Sequence, residues 1–252
     1  MKLLTVIIRV YNGETNIERS INSVIEQTYI DNIQILIIND GSTDNSLNIC
    51  NEIKNKYPEI LITIVSHKTN LGRGKGLNTA KKHIKGKYCC VLDCDDCYVS
   101  NTWVEELFNE IGNKRYSILY RNEYSFHWNY VYLSSVFKVC PIPNINFYED
   151  HYVRWFFNNE NLKKYLHHVE NYYCYNSGHE GVNMEEYHAN NKKFDDKYGL
   201  REIAYIYERV FYNKTENIDE LIALCEGIDY NRLDKSLLES YNEICKELKI
   251  EK

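Results

Sequence analysis

Short apolar runs alternate with helically spaced apolar residues through the first hundred positions. TVIIRV (5–10), IQILIIND (33–40), ILITIV (60–65) and YCCVL (88–92) read as strands. The second run is almost continuously apolar, which fits a strand buried on both faces. Between the first two, Ile17, Ile21, Val24 and Ile25 share one helix face, and Thr15-x-x-Glu18 has the form of a capping box at its start. Leu47, Cys50 and Ile53 mark a second helix, capped from Ser42-Thr43-Asp44 and ended by Pro58. Leu77, Ala80 and Ile84 mark a third, closed by Gly86, and Trp103, Leu107, Phe108 and Ile111 a fourth. Alternation of this kind predicts an α/β fold. A mostly parallel central sheet is flanked by helices, and ligands meet it at the carboxyl ends of the strands.

The pattern changes after residue 117. SILYR and YSFHWNYVYL suggest antiparallel strands, EDHYVRWFF (149–157) a helix, and NYYCYNSGHEGVN (171–183) a strand entering a glycine-containing loop. From about 185 the spacing is helical again: Ile203, Tyr207 and Val210, then Leu221, Leu224 and Cys225, then Leu237, Leu238, Tyr241, Ile244, Cys245 and Leu248. The expected organisation is one domain over 1–184, divided into halves 1–100 and 101–184, with a C-terminal helical region over 185–252.

Composition narrows the classes. With 252 residues, 44% hydrophobic and 26% charged, the chain has ordinary globular values. A net charge of −6 argues against a broad nucleic-acid surface, while leaving room for a small basic pocket. LLTVIIRV reads as a first strand, not as a leader, and is too short for a membrane span. No transmembrane segment is expected. Nine cysteines without a secretion signal point to reduced thiols. The expected location is the cytoplasm, free or at the cytoplasmic face of the membrane.

The polar clusters follow strands, and they carry the candidate chemistry. CCVLDCDDC (89–97) offers two readings. Cys90, Cys94 and Cys97 have the C-x₃-C-x₂-C spacing of radical S-adenosylmethionine enzymes, but the thiolates of a cluster need a loop free to converge, and Cys89 and Cys90 sit in an apolar strand. Asp93, Asp95 and Asp96 offer hard oxygen ligands suited to Mg²⁺ or Mn²⁺ shared with a phosphate. NLGRGKGLN (70–78) is a glycine-rich basic turn before a helix, a place for an anion. In NDGSTD (39–44), Asp40 is surplus to helix capping and can accept from a uracil imide or from ribose hydroxyls. Glu149-Asp150 can complement a helix dipole or supply a general base.

In order and spacing, VIIRVYNGETNIERSINSVIEQTY, ILIINDGSTDNS, NLGRGKGLN, GKYCCVLDCDD and YEDHY resemble inverting family-two glycosyltransferases of the GT-A fold, over roughly residues 3–155. The resemblance makes 1–100 the nucleotide-sugar-binding half and 101–184 the acceptor half. It implies that Tyr11 stacks on the base and Asp40 bonds it. Asp93 holds ribose or supports the metal loop, and Asp95 ligates Mn²⁺ or Mg²⁺ on the diphosphate. Asp150 deprotonates the acceptor hydroxyl, and His179 is a further metal or diphosphate ligand. Arg9, Glu14, Gly72, Arg73, Lys75, Asn78 and Cys94 complete the implied nucleotide-sugar site. A UDP-sugar is the implied donor, and the acceptor is a glycan, a lipid-linked or another hydroxyl compound.

Four positions depart from the family pattern. Arg9 stands where proline is usual. Leu77 stands where an arginine is common, which leaves Arg73 or Lys75 to compensate. Asn176 and Val182 replace an arginine and a serine in the closing motif. The competing expectations are a non-catalytic sugar-nucleotide binding module, a related nucleotidyltransferase and, remotely, the radical enzyme.

Overall fold

Leu4–Val10 (β1) is buried at every position, and so is Ile33–Asn39 (β2). In a computed structural model of the protein, which describes residues 2–112, 118–120, 130–140, 142, 144, 149, 153, 164–166, 174–176, 206, 210, 218–228, 231 and 235–250, these two strands are neighbours in the interior of the sheet. β2 and Tyr88–Asp93 (β4) flank β1 in parallel, and Ile62–Ser66 (β3) extends the sheet beyond β2. On the other side, Tyr130–Leu133 (β7) pairs antiparallel with β4, then come Ile118–Tyr120 (β6) and Lys164–Leu166 (β8). The order is β3-β2-β1-β4-β7-β6-β8. A separate ribbon pairs Asp96–Tyr98 (β5) antiparallel with Cys174–Asn176 (β9).

Side-chain alternation explains the helices. One sheet face carries Leu4, Val6, Ile8, Ile33, Ile35 and Ile37. It shares a core with Ile17, Ile21 and Val24 of Ile17–Ile25 (α1), Cys50 and Ile53 of Ser46–Lys56 (α2), and Trp103, Val104 and Leu107 of Trp103–Ile111 (α4). Ile7, Leu36 and Ile38 turn to the opposite face, where Gly76 of Arg73–Ala80 (α3) lies against Ile38. A short helix, Ser134–Phe137 (α5), follows β7. Toward the C-terminus, Ile218–Glu226 (α6) buries Leu221 and Cys225 but leaves Leu224, expected on the same face, 38% exposed, and Lys235–Glu247 (α7) buries Tyr241, Ile244 and Cys245, as their spacing predicts. Residues 1–71, 76–140 and 161–180 form one compact unit, and 72–75, 141–160 and 181–252 another. Among the described residues no helix is long and apolar enough to cross a membrane.

Three local expectations are corrected. The Thr15-x-x-Glu18 capping box does not form. The N-cap is Asn16, without a side-chain bond, and Gly13 O accepts from the backbone N–H of Asn16 and Ile17 instead. The glycine-rich stretch is not a turn before a helix, because α3 begins at Arg73 and takes Gly74 and Gly76 into its interior; the turn is Gly72, at φ 93°. Gly86 does not close that helix, which ends at Ala80. It is a point of close approach: a Cβ there would lie 2.5 Å from the backbone of Leu4 and Thr5.

Candidate active site

Strand register brings the acidic motifs to one edge. Val10 is level with Asn39, and Arg9 with Asp93, so the chain leaves β1, β2 and β4 at the same end of the sheet. Strands lie about 4.8 Å apart, which puts the ends of β2 and β4 roughly 10 Å from each other across β1. Tyr11, Asp40 and Asp93 gather at this edge, as the sequence predicts. Tyr11 is 47% exposed.

The loops after β1 and β2 are laced together. Asn12, at φ 52°, donates its N–H to Ser42 Oγ (3.1 Å) and accepts from Thr43 N–H (2.8 Å). Gly13 N–H donates to Ser46 Oγ (2.9 Å). Gly13 also lies under Cys94, whose Sγ would be 3.1 Å from any Cβ there. Glu14, expected at the nucleotide sugar, bridges these loops: its N–H donates to Asp44 Oδ2 (3.0 Å) and its Oε2 accepts from Asn45 N–H (2.8 Å). Asp44 is the effective cap of α2, accepting from the N–H and hydroxyl of Ser46. Burial works to raise its pKa, but those bonds and that of Glu14 outweigh it and hold the carboxyl below its ordinary value.

Asp40 is nearly buried. Its Oδ1 accepts from Leu71 N–H (2.9 Å) and contacts His67 Nδ1 (2.7 Å). Gly72 is buried, Arg73 is exposed and Lys75 half-buried on the first turn of α3, and Asn78 accepts from Lys81 Nζ (2.7 Å). Leu77, at the position where the resemblance expects an arginine, is fully buried.

The acidic loop is held from two sides. Arg9 Nη2 pairs with Asp93 Oδ1 at 2.7 Å, with the Arg9 side chain almost wholly buried. From α1, Ser20 Oγ donates to Asp93 O (3.4 Å) and Arg19 Nη2 to Asp95 O (2.8 Å). Ser23 Oγ accepts from Tyr98 N–H (3.0 Å), and Gln27 Nε2 donates to Ser100 O (2.7 Å). Asp96 is fully buried, and neither carboxyl oxygen has a hydrogen-bond partner among the described residues. Burial first, then the charges of Asp93 and Asp95, push its pKa up to about 8. Asp96 is therefore mostly protonated at neutral pH, and Arg9 offsets Asp93.

Asp95, expected to meet a cation, is half-exposed on the same loop. No three His, Cys, Asp or Glu side chains converge into a protein-only cage among the described residues. The donor set instead fits a hard divalent ion that takes one or two carboxylates and completes its shell with substrate phosphate and water. The cysteines fit no cluster. Cys90 is buried in the core with its Sγ 3.5 Å from the Tyr98 hydroxyl. The Cys94 thiol is pushed up to about 12 by burial and then by Asp95 and Asp93, which disfavours the thiolate that a cluster requires.

Asp150 and His179 lie outside the described residues; of Glu149-Asp150, Glu149 is buried. The sequence reading missed Ser20, Ser23 and Gln27, and it missed His67. A signal for the first three was present: polar residues at positions 20, 23 and 27 recur at helical spacing beside an apolar stripe. His67 carried no such signal.

Residues 5–176 match the family model described as Glycosyl transferase family 2. Glycosyltransferase GlyA of Streptococcus pneumoniae is 36% identical over 124 residues, a match covering 49% of this chain and 17% of that relative, so the chain corresponds to a small part of it. Among solved structures, S. aureus TarS 1–349 in complex with UDP superposes with a TM-score of 0.59 at 20% identity, over 69% of this chain and 60% of that one. The mannosyltransferase PcManGT of Pyrobaculum calidifontis, in complex with GDP-Man and Mn²⁺, superposes with a TM-score of 0.60 at 15% identity, over 98% and 70%.

Proposed function

The chain belongs to glycosyl transferase family 2 and has the GT-A fold, and from that premise we propose that it moves a sugar from a nucleotide-diphosphate donor to an acceptor hydroxyl by a single, inverting displacement. The observation that carries this reading is the convergence of Tyr11, Asp40 and the Asp93–Asp96 loop at the carboxyl edge of three adjacent strands. In this reading Tyr11 stacks on the base, Asp40 bonds it, and the Arg9–Asp93 pair fixes the loop that presents Asp95. Asp95 would hold Mn²⁺ or Mg²⁺, which when bound offsets the charge developing on the leaving diphosphate. The donor class is a UDP-sugar; the complex of TarS with UDP supports a uracil nucleotide on this fold, and that of PcManGT supports a divalent cation. The acceptor is a glycan, lipid-linked or other hydroxyl compound.

Asp150 is the proposed base. A carboxylate near the acceptor oxygen takes its proton as the oxygen attacks the anomeric carbon, and the bond to the diphosphate breaks on the opposite face. Calorimetry and a transfer assay on two variants test both assignments together. Asp95→Ala should abolish the Mn²⁺-dependent part of UDP binding. Asp150→Asn should leave UDP binding within about twofold and lower transfer by at least ~10²-fold. Transfer that survives Asp150→Asn would remove the base assignment, and UDP binding indifferent to Mn²⁺ in the wild type would remove the metal role.

A further inference from the structure

His67 lies one residue beyond β3, and its ring joins two elements of the nucleotide edge. Nδ1 is 2.7 Å from Asp40 Oδ1, and Nε2 is 2.9 Å from Thr79 Oγ1 on α3. The segment that carries it is fastened to the end of β2 by its backbone as well. His67 N–H donates to Asn39 O (2.9 Å), and Leu71 N–H donates to the same Asp40 Oδ1 (2.9 Å). Gly41, at φ 73°, packs so closely on this segment that a Cβ would lie 2.4 Å from the carbonyl carbon of Thr69. A carboxylate only accepts, so Nδ1 carries the proton facing Asp40; in a neutral ring, Nε2 then accepts from the Thr79 hydroxyl. The carboxylate thereby selects the tautomer, and the Thr79 hydroxyl, which can donate or accept, holds the other side of the ring.

We propose that His67 is a positioning residue that sets the base selectivity of the nucleotide site. The proposal rests on the reading of Asp40 as the partner of the base. Two donors on Oδ1, one from the ring and one from the backbone, stop the carboxylate from rotating about its Cβ–Cγ bond. A base then meets the carboxylate in one fixed orientation. A uracil ring presents an imide N–H to such an acceptor, whereas the corresponding cytosine nitrogen is itself an acceptor. Discrimination between them depends on holding the carboxylate still. Without the ring, one of the donors that hold Oδ1 is lost, and the carboxylate is less firmly fixed toward one base.

The experiment is calorimetric titration of UDP and CDP in Mn²⁺, on the wild type and on Asp40→Asn, His67→Ala, His67→Gln and His67→Asn, each checked for its melting temperature. The Asn amide nitrogen falls near Nδ1 and restores the donor to Asp40, while the Gln amide falls near Nε2 and does not. His67→Ala and His67→Gln should each weaken UDP about tenfold and CDP less than about threefold, narrowing the preference for UDP. His67→Asn should stay within about threefold of the wild type. If His67→Ala does not fold, His67→Gln against His67→Asn decides the matter. Equal loss of UDP and CDP, or no difference between the Gln and Asn variants, would overturn the positioning role while a weakened Asp40→Asn left the base-site reading standing. A wild type that binds no UDP, or an Asp40→Asn variant that binds it as well as the wild type, would overturn both.

Discussion

Asp96 shows how one buried side chain sets the charge of a whole loop. In the folded protein its pKa stands near 8, against an ordinary value of 3.8, with burial the largest cause and the neighbouring Asp93 and Asp95 next. The folded state therefore keeps a proton that the unfolded chain gives up. The sign follows directly: the stability that Asp96 allows is complete below its unfolded pKa and declines as pH rises toward the folded value, by at most about 1.4 kcal/mol per pH unit. Asp96→Asn cannot ionise, so in chelator-treated protein its stability relative to the wild type should grow between pH 5 and pH 8. Denaturant melts across that range check this, and parallel curves for the two proteins would refute it. At this scale the sequence was half legible. The run of carboxylates was plain, and so was its place after a strand. Which of them stays charged was not, because that depends on Arg9 arriving from β1 and on the depth of Asp96, and neither is local to the motif. His67 was invisible for the same reason: its partners are 27 and 12 residues away along the chain.

Elements were more legible than their ends. The four parallel strands announced themselves as apolar runs because each is buried by neighbours on its edges and faces. Helix α1 was correct in its apolar face, but its start is governed by Gly13 and not by the local Thr-x-x-Glu pattern, since Glu18 is exposed and Gly13 O takes the first N–H groups. Gly86 makes the contrast sharpest. Its N–H bonds Thr5 Oγ1 at 2.9 Å, and the strands meet too closely there for any side chain. Gly86→Ala should force the start of β4 away from β1 and cost about 3 kcal/mol. Gly112, at φ 53°, has open space around it, and Gly112→Ala should cost only about 1 kcal/mol, from the backbone conformation. Urea titrations of the two variants check the ranking; equal losses would show that the close approach at Gly86 relaxes easily.

At the scale of the molecule, the fold places its chemistry by strand order. β1 lies between β2 and β4, and two loops with candidate ligands leave those strands on either side of it. Ligand binding should therefore report on the whole sheet. With UDP and Mn²⁺ near a hundred times the dissociation constant, the gain is about 2.7 kcal/mol, or roughly 5–10 °C in melting temperature for a protein of this size. The shift should vanish in chelator, and a shift of equal size with and without Mn²⁺ would separate nucleotide binding from the acidic loop. The fold class and the edge of the sheet were readable from alternation alone. The acceptor side was proposed through resemblance alone, since the described strands after 117 are short and their pairings span long stretches of chain.

The pairing of β5 with β9 carries a consequence in time. Tyr98 is opposite Cys174, and Asp96 opposite Asn176, so the strand that leaves the acidic loop is fixed by a segment made roughly 75 residues later. β1, β2 and β4 all lie within the first 93 residues, so they are made well before residues 174–176. During synthesis the sheet edge and the Asp40 side can assemble while the chain between is still emerging. The acidic loop gains its pairing with β9 only when residues 174–176 arrive, so this corner of the sheet edge is completed late, after the scaffold around it exists.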